Sequence, residues 1–165
     1  MAKINFFDRA YLKESARTDL EFGIYDPGNA QPALTTTDPQ LCQAKVKNPM
    51  AKTLQFVPID YNFDIRRANG ELESTCDGML YEGTSYLAFV ELKDKESSWA
   101  SEAVEQLRTT ISIFVENHNK EAFKRRFAYA VNTKHPNFHK SFKEVMQQFT
   151  SETKFVLRFQ TDVNV

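Results

Sequence analysis

The sequence predicts a single α/β domain in which a mixed central sheet is flanked by helices. Apolar and polar residues alternate with period two over much of residues 53–93, which is typical of strands. A long amphipathic segment follows at residues 99–117, and strand-like and helix-like segments then alternate to the end. The 165 residues, 41% of them apolar and 14 of them Phe, suffice for one substantial core.

The first third of the chain combines a predicted helix with a predicted irregular insertion. Residues 6–20 carry apolar side chains at roughly helical spacing after Asp8, a residue suited to capping a helix. Residues 26–52 contain four prolines and a run of threonines, which predicts a Pro-rich insertion without regular structure, apart from a short helix at residues 41–46.

Three strands and then an alternation of helices and strands are predicted after the insertion. The strands at residues 53–65, 72–81 and 85–93 are separated by turn signals at Asn69-Gly70 and Gly83, which indicates an antiparallel meander. A helix over 99–117, a strand over 126–132, a helix over 138–149 and a strand over 154–160 complete the order α-β-β-β-α-β-α-β. The strand that follows the long helix is expected to lie parallel to a core strand.

Asp77, Glu91 and Lys93 form the constellation with the clearest chemistry. Side chains alternate between the faces of a strand, so Glu91 and Lys93 share a face at the end of an apolar run. Asp77 lies on the preceding strand and converges with Glu91 only if the register of the hairpin brings the two together. Two carboxylates and the Leu92 carbonyl suit Mg²⁺, which prefers oxygen ligands and keeps several waters. Lys93 can orient a water or stabilise charge on a phosphate.

This pattern resembles the PD-(D/E)XK nuclease superfamily, which has the restriction-endonuclease-like fold. Asp77, the hairpin interval and Glu91-Leu92-Lys93 match the family motif, with Cys76 where the family name has Pro. The order of elements resembles the family's αβββαβ core, extended here by a C-terminal αβ unit. The resemblance implies a nuclease that uses Mg²⁺ or Mn²⁺ to hydrolyse phosphodiester bonds, with DNA expected ahead of RNA as its partner.

The resemblance also suggests two further site residues. Many members complete the metal site with an acidic residue of the first helix, and Glu14 is the candidate here. Some members place Gln on the helix after the E-x-K residues, and Gln106 stands at a suitable position, although one subgroup's following Tyr is Thr110 in this chain. A solvated helix residue for Glu14 and a polar neighbour of the apolar stripe for Gln106 remain the alternatives.

Nucleic-acid binding would need a local basic patch, because the formal net charge is only −1. The candidate patch surrounds a predicted helix N-terminus, where backbone N–H groups also favour phosphate. An ordinary solvated basic face is the alternative, and for the two histidines a loop is favoured over a zinc site. The residues of the patch are Lys134, His135, His139, Lys140 and Lys143.

Composition limits the cellular setting and leaves two other functions open. Two cysteines are too few for a disulfide framework, and neither a signal peptide nor a membrane-length apolar run is visible, so a cytoplasmic protein is expected. The chain can instead be a catalytically inactive nuclease-fold domain that serves as a binding or assembly module. It can also be an unrelated α/β protein in which Glu91 and Lys93 are a surface ion pair. A homodimer or a partner protein is compatible with each of these functions.

Overall fold

The computed structural model describes residues 3–134 and 142–165, which form three layers. Two α-helices cover one face of a five-stranded sheet, and a four-stranded sheet covers the other face. In chain order the elements are β1 (Glu21–Tyr25), β2 (Leu34–Thr36), β3 (Ala44–Lys47), β4 (Gln55–Pro58), β5 (Gly78–Glu82), β6 (Tyr86–Lys93), α1 (Trp99–Asn117), β7 (Arg125–Asn132), α2 (Lys143–Thr153), β8 (Val156–Phe159) and β9 (Asp162–Asn164).

The five-stranded sheet is mixed, as the sequence predicts. Its strand order is β4-β5-β6-β7-β8, with antiparallel pairing from β4 to β6 and parallel pairing from β6 to β8. The helix α1 begins and ends at the predicted residues, and it connects β6 to β7 as the expected crossover. The central strand β6 is buried on both faces, which explains its nearly unbroken apolar run.

The two faces of β6 belong to different cores. Leu87 and Phe89 pack with apolar residues of α1 and α2, whereas Ala88 and Val90 pack with residues of the four-stranded sheet. Helices therefore flank the central sheet on one side, and a second sheet replaces the helices that were expected on the other.

The region expected to be an irregular insertion contributes to that second sheet. Its strand order is β2-β1-β3-β9, and β2 and β3 both lie within residues 26–52. Residues 44–47, which overlap the expected short helix, form β3, where Ala44 and Val46 are buried and Lys45 is exposed. The C-terminal β9 pairs in parallel with β3, so this sheet joins segments far apart in sequence.

The predicted first helix is wrong. Residues 6–20 contain a single 3₁₀ turn at Arg9–Tyr11, capped by the Asp8 side chain, and no α-helix. The apolar spacing has another cause, because Phe6 and Tyr11 pack their rings against Phe63 of the core. Leu20, which the helix would have buried, is 62% exposed.

The remaining differences concern where elements begin and end. The first meander strand ends at Pro58, because a turn follows in which Tyr61 adopts a φ of 63°. The second strand begins only at Gly78. The helix α2 ends at Thr153 rather than near residue 149, and residues 135–141 at its predicted start lie outside the described residues. Neither helix of the described chain has the length and apolar character needed to cross a membrane.

Candidate active site

Asp77 and Glu91 meet at the end of the β5–β6 hairpin. The register pairs Gly78 with Val90, so Asp77 and Glu91 occupy the next opposing positions just beyond the ladder. The Asp77 backbone N–H donates to Oε1 of Glu91 at 3.1 Å, and the Leu92 N–H donates to Oδ2 of Asp77 at 2.7 Å. Each carboxyl group thus binds the backbone of the other strand, and the convergence that depended on register is present.

Both carboxyl groups are buried, with exposures of 9% for Asp77 and 3% for Glu91. Burial raises the pKa of Asp77 to about 7, opposed by the hydrogen bond from Leu92. Burial and the neighbouring Asp77 raise the pKa of Glu91 well above its usual range, opposed by the charge of Lys93. When both groups are ionised the two carboxylates repel each other, and an added cation would relieve that repulsion.

The Lys93 ammonium lies beside the carboxyl pair. Its Nζ is 3.1 Å from Oε2 of Glu91 and 3.7 Å from Oε2 of Glu102, and its side chain is 14% exposed. Lys93 and Glu91 therefore share the face of β6 that the alternation predicts. This ion pair is nearly buried, unlike the surface ion pair that is expected if the chain is an unrelated α/β protein.

Gln106 belongs to the same constellation. Its Oε1 accepts a hydrogen bond from Nζ of Lys93 at 2.5 Å, and its Nε2 donates to the Thr75 carbonyl at 3.1 Å. This side chain reaches from α1 to β6 and to the segment that leads into β5. The structure thus brings four predicted residues together: Asp77, Glu91, Lys93 and Gln106.

The Leu92 carbonyl faces the side of β6 on which Asp77 lies. In an extended strand the N–H and C=O of one residue project toward the same neighbour, and the Leu92 N–H binds Asp77. The next carbonyl, that of Lys93, points the other way and accepts from Thr133 N–H at 3.0 Å. The Leu92 side chain is buried against the four-stranded sheet, so its backbone is what the site can use.

Glu14 lies elsewhere, because the helix expected to carry it is absent. Its carboxylate accepts hydrogen bonds from the hydroxyl and the N–H of Thr35, and its carbonyl accepts from Gln55. These contacts attach the extended N-terminal segment to β2 and β4. Glu14 therefore has a role in fixing the chain, and the prediction that it binds metal loses the helix on which it depended.

Asp60 is an acidic neighbour of the site that the sequence did not single out. Its N–H donates to the Cys76 carbonyl at 3.2 Å, which places it beside Asp77. Burial raises the pKa of Asp60, the charge of Lys93 opposes that rise, and the charges of Asp26 and Asp60 raise the pKa of Asp77. The available signal was an acidic residue directly after an apolar strand, the same signal that pointed to Glu91.

The donor set fits a cation that keeps most of its water. Among residues 3–134 and 142–165, no three His, Cys, Asp or Glu side chains are placed to hold a metal together. Asp77, Glu91 and the Leu92 carbonyl supply oxygen only. Such a set suits Mg²⁺ or Mn²⁺, which binds through one or two carboxylates and completes its shell with water or phosphate oxygens.

The predicted basic patch is described only in part. Lys134 follows β7 at the same end of the sheet as the site, with its Nζ 3.8 Å from the Glu96 carboxylate, and Lys143 begins α2. His135, His139 and Lys140 lie outside the described residues.

Comparisons of this chain with protein-family models, with curated proteins and with solved structures found no match. The class of protein must therefore be argued from the site. Its features are a buried carboxyl pair, an ammonium against one of the carboxyl groups, and oxygen donors at the end of a central strand.

Proposed function

We propose that this chain is a metal-dependent nuclease of the PD-(D/E)XK type that hydrolyses phosphodiester bonds in nucleic acid, with DNA as the preferred substrate. One observation carries the proposal: Asp77 and Glu91 bind each other's strands while Lys93 contacts Glu91 at 3.1 Å. The mixed β4–β8 sheet and the α1 crossover support a restriction-endonuclease-like core. The second sheet and the missing first helix are departures from the pattern of that family.

Asp77, Glu91 and the Leu92 carbonyl would hold the metal. When bound, Mg²⁺ or Mn²⁺ supplies Lewis-acid polarisation of a phosphate and a water of lowered pKa. Lys93 orients the attacking water or stabilises the charge that builds on the phosphate, and its position on the same face as Glu91 suits either role. Gln106 keeps the ammonium in place through its hydrogen bond to Nζ.

Cleavage assays with matched variants test this proposal. The purified protein is incubated with labelled single-stranded DNA, duplex DNA and RNA in Mg²⁺, Mn²⁺ or EDTA. We expect metal-dependent cleavage that Asp77→Asn, Glu91→Gln and Lys93→Met each reduce by about a thousandfold or more, since each removes a ligand or the charge that stabilises the transition state.

Two controls separate the site from the rest of the chain. Glu14→Gln removes an acid that binds Thr35, and Lys47→Met removes a partly exposed lysine on the second sheet. Both variants should cleave at the wild-type rate. Cleavage that persists in Asp77→Asn and Lys93→Met would show that this site does not carry the activity.

A non-catalytic binding or assembly module is the second candidate function. It is favoured by the contacts of Lys93, whose ammonium is already bound to Glu91 and Gln106, and by the limited number of acidic ligands. Titration with Mn²⁺, followed by electron paramagnetic resonance, distinguishes the two functions. Binding that disappears in Asp77→Asn supports the nuclease, whereas wild-type protein that neither binds Mn²⁺ nor cleaves supports the module.

A further inference from the structure

Thr110 of α1 is a buried polar residue with a connection to the site. Its side chain is completely buried and lies one helical turn beyond Gln106. The hydroxyl donates to the Gln106 carbonyl at 2.7 Å and accepts from the Cys76 N–H at 2.8 Å. The first bond fixes the rotation of the hydroxyl, so its lone pair faces Cys76.

Gln106 and Thr110 bind the two polar atoms of one peptide unit. The Thr75 carbonyl accepts from Gln106, and the Cys76 N–H of the same peptide bond donates to Thr110. A planar trans peptide directs these two atoms in opposite directions, and the two side chains stand four residues apart along the helix. The helix therefore fixes the orientation of the Thr75–Cys76 peptide, which is the second peptide unit before Asp77.

This peptide lies outside the regular ladder, because β5 begins only at Gly78. On its other side the segment is attached to the end of β4, through Asp60 N–H to the Cys76 carbonyl and Ile59 N–H to the Asp77 carbonyl. Rotation of the unit between these anchors would displace the Asp77 carboxyl group from Glu91 and from the Leu92 N–H. The Thr110 hydroxyl opposes that rotation.

We propose that Thr110 is a positioning residue that holds Asp77 in its place for binding the metal, an inference that rests on the proposed nuclease function. Valine has nearly the same shape and would fill this apolar position without the cost of burying a hydroxyl. The hydrogen bond to Cys76 is what threonine adds. Supporting residues of this kind typically change metal affinity or activity by 10- to 100-fold.

Two substitutions at Thr110 separate positioning from packing. Thr110→Val keeps the volume and removes the hydroxyl, whereas Thr110→Ser keeps the hydroxyl and removes the methyl group. Thr109→Val, on the neighbouring and partly exposed residue of the same helix, is the control. Cleavage is measured against Mn²⁺ concentration, and thermal unfolding is measured for each variant.

We expect Thr110→Val to need at least about tenfold more Mn²⁺ for half-maximal cleavage, and Thr110→Ser and Thr109→Val to stay within about threefold of wild type. If Thr110 served only to pack the core, the Mn²⁺ requirement of Thr110→Ser would also rise, in proportion to the stability that this variant loses. Wild-type Mn²⁺ dependence in Thr110→Val, or equal impairment in Thr110→Ser, would overturn the positioning role of Thr110. Neither result would bear on the proposed nuclease function.

The outcome for the wild type keeps the two proposals distinguishable. Wild-type protein that neither cleaves nor binds Mn²⁺ overturns the nuclease and this inference together. If wild-type protein binds Mn²⁺ without cleaving, the Mn²⁺ affinities of the Thr110 variants decide the positioning role by the same comparison.

Discussion

Asp77 shows how one residue can be costly for folding and useful for chemistry. Its carboxyl group is buried beside Glu91, and burial raises its pKa from 3.8 to about 7. Above that pH the folded protein must hold a buried negative charge next to a second acid. A metal ion would compensate both charges, which supports the proposed role of the pair in binding a cation.

The pH dependence of stability follows from that shift in pKa. Between pH 3.8 and about 7 the folded state keeps a proton on Asp77 that the unfolded state releases, so stability falls as the pH rises through this window. Below this window Asp77 is protonated in both states. Above it, the full free-energy cost of burying the charged carboxylate remains. Asp77→Asn removes the titrating group and can still accept the Leu92 N–H.

We therefore expect Asp77→Asn to be more stable than wild type at pH 8 in EDTA, by roughly 1–4 kcal/mol. The gain should largely vanish at pH 4. Thermal unfolding across this range provides the measurement, with the exposed Asp64→Asn as control. A variant at or below wild-type stability at pH 8 would show that Asp77 is not strained by its burial.

At the scale of elements, the connection from β6 to α1 depends on Asn132 at the end of β7. This side chain is 1% exposed, and its amide exchanges hydrogen bonds with the Lys95 backbone at 2.8 and 3.3 Å. Because Asn132 pairs with Lys93 in the parallel ladder, it supports the connection immediately after the candidate site.

Asn132→Leu is expected to lower stability by about 1–3 kcal/mol, because it removes the hydrogen bonds between the buried Asn132 amide and the Lys95 backbone. Hydrogen exchange of residues 94–98 should accelerate with it. Asn119→Leu is the control, since Asn119 caps a 3₁₀ turn on the exposed surface. Unchanged exchange at residues 94–98 in Asn132→Leu would mean that other contacts hold this connection.

At the scale of the whole molecule, the central sheet is shared between two cores. One lies beneath α1 and α2, and the other lies against the four-stranded sheet that β9 completes. Val163 of β9 is fully buried opposite Val46 of β3, and Tyr86 of β6 donates its hydroxyl proton to the Asn164 carbonyl at 3.2 Å. The last residues therefore stabilise the layer behind the site.

Removal of residues 161–165 should destabilise the protein by several kcal/mol, at least about 3, because it uncovers the second core and leaves a cavity at Val163. Urea unfolding measures this loss. Val165→Ala is a milder control, since Val165 is only partly buried. A truncated chain that unfolds at the wild-type urea concentration would show that β9 is dispensable.

The sequence predicts best where the periodicity is long and local. The helix α1 and the shared face of Glu91 and Lys93 follow from spacing alone. Spacing alone could not predict that Asp77 meets Glu91, because this depends on the register of the β5–β6 hairpin. The turn that pairs Glu82 with Tyr86 sets that register.

The second sheet had no comparable signal. Its strands β2, β3 and β9 have only three or four residues each, and Val46 pairs with Val163 across most of the chain. The false first helix arose because Tyr11, Leu12, Ala16 and Leu20 stand at roughly helical spacing, although Tyr11 packs against Phe63 from an extended chain. Packing between distant segments decided both cases.

The burial of β6 on both faces has a consequence for local opening of the protein. Glu91, Leu92 and Lys93 lie at the end of the central strand, where they pair with β7 on one edge and contact Asp77 on the other. Opening at the edges of the sheets, at β2 or β8, would leave these residues in place, so we expect them to open only on global unfolding. A population of molecules with frayed edges would still carry an intact site.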